Sequence, residues 1–242
     1  MNKKIKSYLI RILSNAKGKR LLRHLYGTLQ NLGMNIEPEY SSRYWSNTEL
    51  ARFAALFEGD VVNVSGWLDE DRSSHPAKKY REYFTNSTSY AITNYPGARG
   101  REDNTDSIAL DLEKPLPAEL CGRFDVVFNH TTLEHVFDVT RAVDCLAGLS
   151  RDIVILVVPF IQHQHFDEGS YGDYWRFSPM VLDRLFTQRG FTTVYVSAND
   201  QSWFPVYVFY IASRHPEKWV SKFPGNAMEL LKQKLCFDYF KW

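Results

Sequence analysis

The sequence predicts an α/β chain: an open, mostly parallel sheet with helices on both faces. Three observations carry this. Short, mainly apolar runs recur, such as Phe124–Phe128 and the uninterrupted Ile153–Val158, as strands buried on both faces require. Stretches with apolar residues at helical spacing separate them, and alternating strands and helices imply parallel pairing. The run from Phe124 to Phe128 also ends abruptly in Asn129, His130, Thr131 and Thr132. A strand of this kind delivers polar side chains to its carboxyl edge, where open α/β sheets bind ligands.

Each element follows in order. Residues 43–58 read as a helix with Leu50, Phe53, Ala54 and Phe57 on one face. Val61–Val64 is a short strand broken at Ser65-Gly66. Residues 76–84 read as a short helix, and Tyr90–Ile92 and Ile108–Leu110 as the second and third strands. Phe124–Phe128 is the fourth, followed by a helix over about 133–149. Ile153–Val158 is the fifth and stops at Pro159. A loop rich in His, Gln and aromatic residues covers 160–177. Ser178-Pro179 is a helix N-cap followed by proline at the first helical position, and that helix ends at Gly190. Phe191–Val196 and Val206–Ala212 close the sheet as an antiparallel pair.

The chain has 242 residues, 44% of them hydrophobic and 15% aromatic, enough for a full core. Its formal charge of +1 is unevenly spread. Residues 1–36 hold eight Lys or Arg and no acid; subtracting these from the total leaves −7 on the rest. This basic, helically patterned stretch reads either as a peripheral membrane contact for anionic lipid or as a helix packed on the domain. Domain boundaries are therefore placed at 1–40, 41–215 and 216–242, with an aromatic C-terminal tail packed on the domain. Nucleic acid is not an expected partner, because the positive charge is confined to one amphipathic segment. Cys121, Cys145 and Cys236 show no zinc or disulfide spacing, so a reducing, cytoplasmic location is expected.

Four motifs carry a family resemblance. They are Asp111-Leu112-Glu113-Lys114-Pro115-Leu116-Pro117; Phe124-Asp125-Val126-Val127 with Leu133-Glu134-His135-Val136; Val157-Val158-Pro159-Phe160; and Asp173-Tyr174-Trp175-Arg176-Phe177-Ser178-Pro179 with Gly190-Phe191. In this order and spacing the chain resembles the class I S-adenosylmethionine-dependent methyltransferases. The last motif is similar to a type 11-like branch associated with bacterial polysaccharide and lipopolysaccharide synthesis. The resemblance implies a Rossmann-like, seven-stranded sheet whose last strand is antiparallel, with S-adenosylmethionine as cofactor. It also implies cofactor contacts from Asn63, Ser65, Gly66, Asn94, Asp111, Leu112 and Asn129. Two positions depart from the family. Its first loop reads like D-x-G-x-G where this chain has Asn63-Val64-Ser65-Gly66-Trp67, and Asn94 stands where an acid accepts the ribose hydroxyls. Two functions follow: a methyltransferase, or a catalytically inactive binding or scaffold domain. A related nucleotide as ligand is a third reading.

Transfer to a hydroxyl needs a base, and histidine suits that role near neutral pH. His135, His163 and His165, with Asp173, are the catalytic candidates, because they follow strands whose ends face one crevice. His135 reads equally as a structural residue, and the two loop histidines as solvated ones. Tyr174 and Arg176 are candidates for binding a small-molecule or glycan acceptor by stacking and by anion pairing; Arg176 alternatively pairs with Asp173. Glu134, His135 and Asp173 are residue types that hold divalent metals. Adjacent residues of a helix diverge by about a quarter turn or more, so no metal is expected.

Overall fold

A computed structural model describes residues 42–71, 73, 76–97, 106–199 and 207–224. The basic segment 1–36 and the tail beyond 224 lie outside the described residues. The described elements are a helix α1 (Ser42–Phe53), strands β1 (Gly59–Val64), β2 (Glu70–Asp71), β3 (Lys78–Lys79), β4 (Ser87–Asn94), β5 (Ile108–Ala109) and β6 (Phe124–His130), helix α2 (Val139–Leu149), strand β7 (Ser150–Pro159), helix α3 (Pro179–Thr187), and strands β8 (Thr192–Ala198) and β9 (Tyr207–Ser213).

Seven strands form one sheet in the order β5-β4-β1-β6-β7-β9-β8. From β5 to β7 the pairings are parallel; β9 runs antiparallel to both β7 and β8. The expected sheet, with its reversed last strand, is present. The period of two explains how both faces are buried. Val62, Val127, Val154 and Leu156 face a cluster with Leu146 of α2 and Leu182 and Phe186 of α3. Val61, Val126, Ile153 and Ile155 face the opposite cluster with Leu50 and Phe53 of α1. Strand order reverses between β1 and β6, so the crevice rule places a ligand outside their carboxyl ends.

Local chemistry explains most boundaries. Ser178 caps α3 by accepting from the Val181 amide at 3.3 Å, and Pro179 opens the helix. Gly190 takes φ +79°, the left-handed conformation glycine adopts freely. Of the C-terminal segment, Phe223 is buried against Phe53 and Tyr195, and the Trp219 ring lies 5.0 Å from Phe57.

Two expectations are corrected. Residues 76–84 are not a helix: Lys78-Lys79 pair antiparallel with Glu70-Asp71, and only a 3-10 turn, Tyr80–Glu82, follows. The Tyr80 amide donates to the Asp69 carbonyl at 2.9 Å, tying this hairpin to the loop after β1. The helix over 133–149 is also broken. Leu133–His135 is a 3-10 turn, and α2 starts only at Val139, where Asp138 accepts from the Arg141 amide at 3.0 Å. A capping aspartate satisfies an orphan amide and so sets the start.

Gly59 offers a test of the packing at the base of β1. It has φ +87°, and an added Cβ would lie 2.1 Å from Asp125 Oδ2, which accepts from the Asp60 amide at 2.8 Å. Gly59→Ala is expected to destabilise the protein by about 1–3 kcal/mol, read from the denaturant midpoint. An unchanged midpoint would contradict this packing.

Candidate functional site at the carboxyl edge of the sheet

The loop after β1 keeps a glycine-like path at three positions that are not glycine. Ser65, Trp67 and Asp69 take φ of +56°, +48° and +59°. Left-handed backbone costs an ordinary residue about 1–2 kcal/mol, so neighbours must hold it. The Ser65 amide donates to Thr93 Oγ1 (3.2 Å) and the Gly66 amide to the Thr93 carbonyl (3.1 Å). Asn94 grips Trp67 at both ends: its Oδ1 accepts from the Trp67 amide (2.7 Å), and its Nδ2 donates to the Trp67 carbonyl (3.3 Å). Asn63 Nδ2 donates to Asp69 Oδ1 at 2.8 Å, and Tyr90 donates to the same oxygen at 2.7 Å. A Cβ on Gly66 would fall 2.5 Å from Asn63 Nδ2, so glycine is required there for packing. Asn63 and Asn94 are thus both engaged within the loop, and both are buried.

Asn129 occupies the point where strand order reverses. It pairs in register with Val64, and its Nδ2 donates to the Val64 carbonyl at 2.8 Å. Its Oδ1 is buried with no hydrogen-bond partner, a condition that in native proteins calls for an explanation. Asp111 is partly buried, and one of its oxygens accepts from the Glu113 amide at 2.9 Å. Leu112 faces the core rather than the crevice.

Arg43 of α1 crosses to the end of β6. Its guanidinium donates to Thr131 Oγ1 at 3.0 Å and lies 3.4 Å from His130 Nδ1, while Ser46 Oγ is 2.9 Å from His130 Nε2. Burial, then the positive charge of Arg43, push His130 well below its usual range, so it is neutral. The helical pattern of 43–58 gives no sign of Arg43 and Ser46, because their partners lie more than eighty residues away.

The candidate catalytic residues sit beside this. Glu134 is fully buried, and neither carboxyl oxygen has a hydrogen-bond partner. Burial, aided by the nearby Asp173 charge, pushes its pKa up to about 8. His135 Nδ1 lies 2.6 Å from the Gly172 carbonyl. A carbonyl only accepts, so Nδ1 carries the proton and the lone pair is on Nε2. Burial lowers the His135 pKa as well. Nε2 stands 3.8 Å from Glu134 Oε1, and the His135 and His165 rings meet edge to face at 4.9 Å. Glu134 and His135 therefore do converge, because they lie in a tight turn instead of a regular helix. His163 is exposed and stays outside this cluster.

Asp173 and Arg176 lock the loop after β7. Hydrogen bonds from Arg176 hold Asp173 down to about 2, so it stays a carboxylate. All five guanidinium N–H groups are engaged: with both Asp173 oxygens and with the carbonyls of Gln162, His163 and Trp175. Arg176 has no donor left for an acceptor anion, and Asp173 is too weak a base to take a proton. Asp173 Oδ2 also accepts from the His165 amide at 2.6 Å, which sets the position of that histidine. Tyr174 is exposed, its ring edge on to Phe137 at 5.3 Å.

No protein-family model matches the sequence, and no curated protein does. Solved structures do resemble it. A candidate S-adenosylmethionine-dependent methyltransferase from Listeria monocytogenes superposes with a TM-score of 0.51 at 11% identity, over 71% of this chain and 97% of that one. The methyltransferase domain of a citrinin polyketide synthase gives 0.52 at 11% identity, over 85% of this chain and 59% of that one. The 1,6-didemethyltoxoflavin-N1-methyltransferase of Burkholderia thailandensis, crystallised with S-adenosylhomocysteine, gives 0.48 at 14% identity, over 81% and 88%. The chain has the fold of the class I S-adenosylmethionine-dependent methyltransferases.

The Asp173–Arg176 lock makes a direct prediction. Lys cannot reproduce a bidentate fork, so Arg176→Lys leaves the buried Asp173 carboxylate under-paired. A loss of about 3 kcal/mol is expected, with faster proteolysis within 160–177. Stability equal to that of the parent would show that the lock does not hold the loop.

Proposed function

We propose that this chain is an S-adenosylmethionine-dependent methyltransferase acting on a hydroxyl of a glycan or glycolipid intermediate. The observation that carries the reading is Asn129. It sits at the topological switch point between β1 and β6, and its buried Oδ1 has no partner. An ammonium group is the donor such an oxygen lacks, and the cofactor's amino-acid portion carries one. Asp111, partly buried just beyond β5 at the same edge of the sheet, would accept from the adenosine portion. Asn63 and Asn94 fit less well, since both are engaged inside the loop.

S-adenosylmethionine supplies an activated methyl group. The chain's task is then to align an acceptor with it and to receive a proton. His135, neutral and with Nε2 free, suits the second task. For the first, Trp67, Tyr95, Phe137 and Tyr174 are all exposed and all follow carboxyl ends of parallel strands. Such aromatic faces stack well on the apolar faces of sugar rings. The glycan acceptor rests on this rim and on the likeness of the Asp173–Pro179 motif.

One observation favours the alternative of an inactive binding domain: Asn94 closes on the Trp67 backbone where the family accepts ribose. Calorimetry and thermal shift with S-adenosylmethionine and S-adenosylhomocysteine separate the two. The enzyme reading expects binding of both, weakened at least about tenfold by Asp111→Ala. No heat and no shift at millimolar ligand would favour the inactive domain.

The basic stretch 1–36 supports a peripheral contact with the inner membrane face. No helix among the described residues is long and apolar enough to cross a membrane. Anionic vesicles are expected to retain the full-length protein and to release a truncation lacking 1–36. Equal retention of both would remove the anchor from the proposal.

A further inference from the structure

We propose that Glu134, His135 and His165 form a binding site for a zinc-like divalent cation. Each offers one donor atom, and the three atoms lie within 4.8 Å of one another. Two imidazoles and a carboxylate are a donor set that suits zinc and its neighbours. Donors around a tetrahedral zinc are about 3.4 Å apart, given metal–ligand distances near 2.1 Å. Glu134 Oε1 and His135 Nε2 are already at 3.8 Å. Closing the widest pair by at most about 1.4 Å is within reach of side-chain rotations.

Two independent features point to a ligand rather than to accidental proximity. Both Glu134 oxygens are buried and lack hydrogen-bond donors, and Oε1 lies 3.8 Å from His135 Nε2. An acid in that position is costly unless something compensates it. His135 is also oriented from behind, as metal-binding imidazoles usually are. The Gly172 carbonyl takes the Nδ1 proton of His135 at 2.6 Å and leaves Nε2 facing the cluster. Asp173 Oδ2 holds the His165 amide, while the His165 Nδ1, 3.4 Å from that oxygen, is buried with no hydrogen-bond partner.

Three protein donors leave at least one coordination position open, the pattern of catalytic rather than structural zinc. The Tyr171 ring lies 4.6 Å from the His135 ring, beside the cluster. With a cation bound, His135 Nε2 is a ligand and no longer the proton acceptor. The site stands on its own geometry and does not depend on the methyltransferase reading.

The test uses the full-length protein, stripped with a chelator and titrated with cobalt(II) by visible absorption and with zinc by calorimetry. One equivalent per chain is expected, with the intense absorption of low-coordinate cobalt. Glu134→Gln, His135→Ala and His165→Ala should each weaken binding more than about tenfold. His163→Ala, exposed and outside the cluster, should leave it unchanged. Circular dichroism checks folding, and Glu134→Gln changes the shape least. No stoichiometric binding, or binding indifferent to all three substitutions, overturns the proposal. Because no S-adenosylmethionine is present, either result leaves the cofactor titration independent.

Discussion

Glu134 ties the two halves of the carboxyl edge together. Its carbonyl accepts from the amides of both Tyr174 (2.7 Å) and Trp175 (3.3 Å), fastening the loop after β7 to the turn after β6. Its side chain points into the same junction and is fully buried. A carboxyl there lies against His135 and near Asp173, and burial keeps it protonated near neutral pH. Asp173 has the opposite character, because Arg176 surrounds it with donors. Two acids in one small volume thus behave differently, one neutral and one charged. Such a separation, set by environment, is common where groups divide acid, base and ligand roles.

The other side of the crevice follows a different logic. Ser65, Trp67 and Asp69 hold conformations that glycine would adopt freely. Their strain is offset by contacts that reach across from β4 and the hairpin: Thr93, Asn94, Tyr90 and the Tyr80 amide. A loop tied at so many points is rigid and self-contained. That rigidity explains why Asn94 turns inward, and it leaves the buried Asn129 Oδ1 as the polar atom of the switch point with no partner inside the protein.

Much of the fold was legible in the sequence. The apolar runs at 124–128 and 153–158 marked strands buried on both faces, and Ser178-Pro179 marked a helix start. The failures came where a local pattern met a distant partner. Residues 76–84 have some helical spacing, yet Lys78-Lys79 pair with Glu70-Asp71. Residues 133–149 read as one helix, yet Thr131 takes φ +49° and Asp138 caps a later start. In the site, the residue types at 134, 135, 165 and 173 were visible, but their pairing was not. Arg176 could equally have faced an acceptor; only its five-fold engagement with the loop decides its role.

The sequence by itself determined the sheet, its two covered faces and the edge that gathers polar residues, because these depend on the order and period of apolar side chains along the chain. Tertiary structure decided the state of each polar residue at that edge. Whether Glu134 is neutral, whether Asn94 faces a ligand or the Trp67 backbone, and whether His135 meets His165 depend on burial and on partners tens of residues away. Those are properties of three-dimensional surroundings, which the linear pattern does not encode.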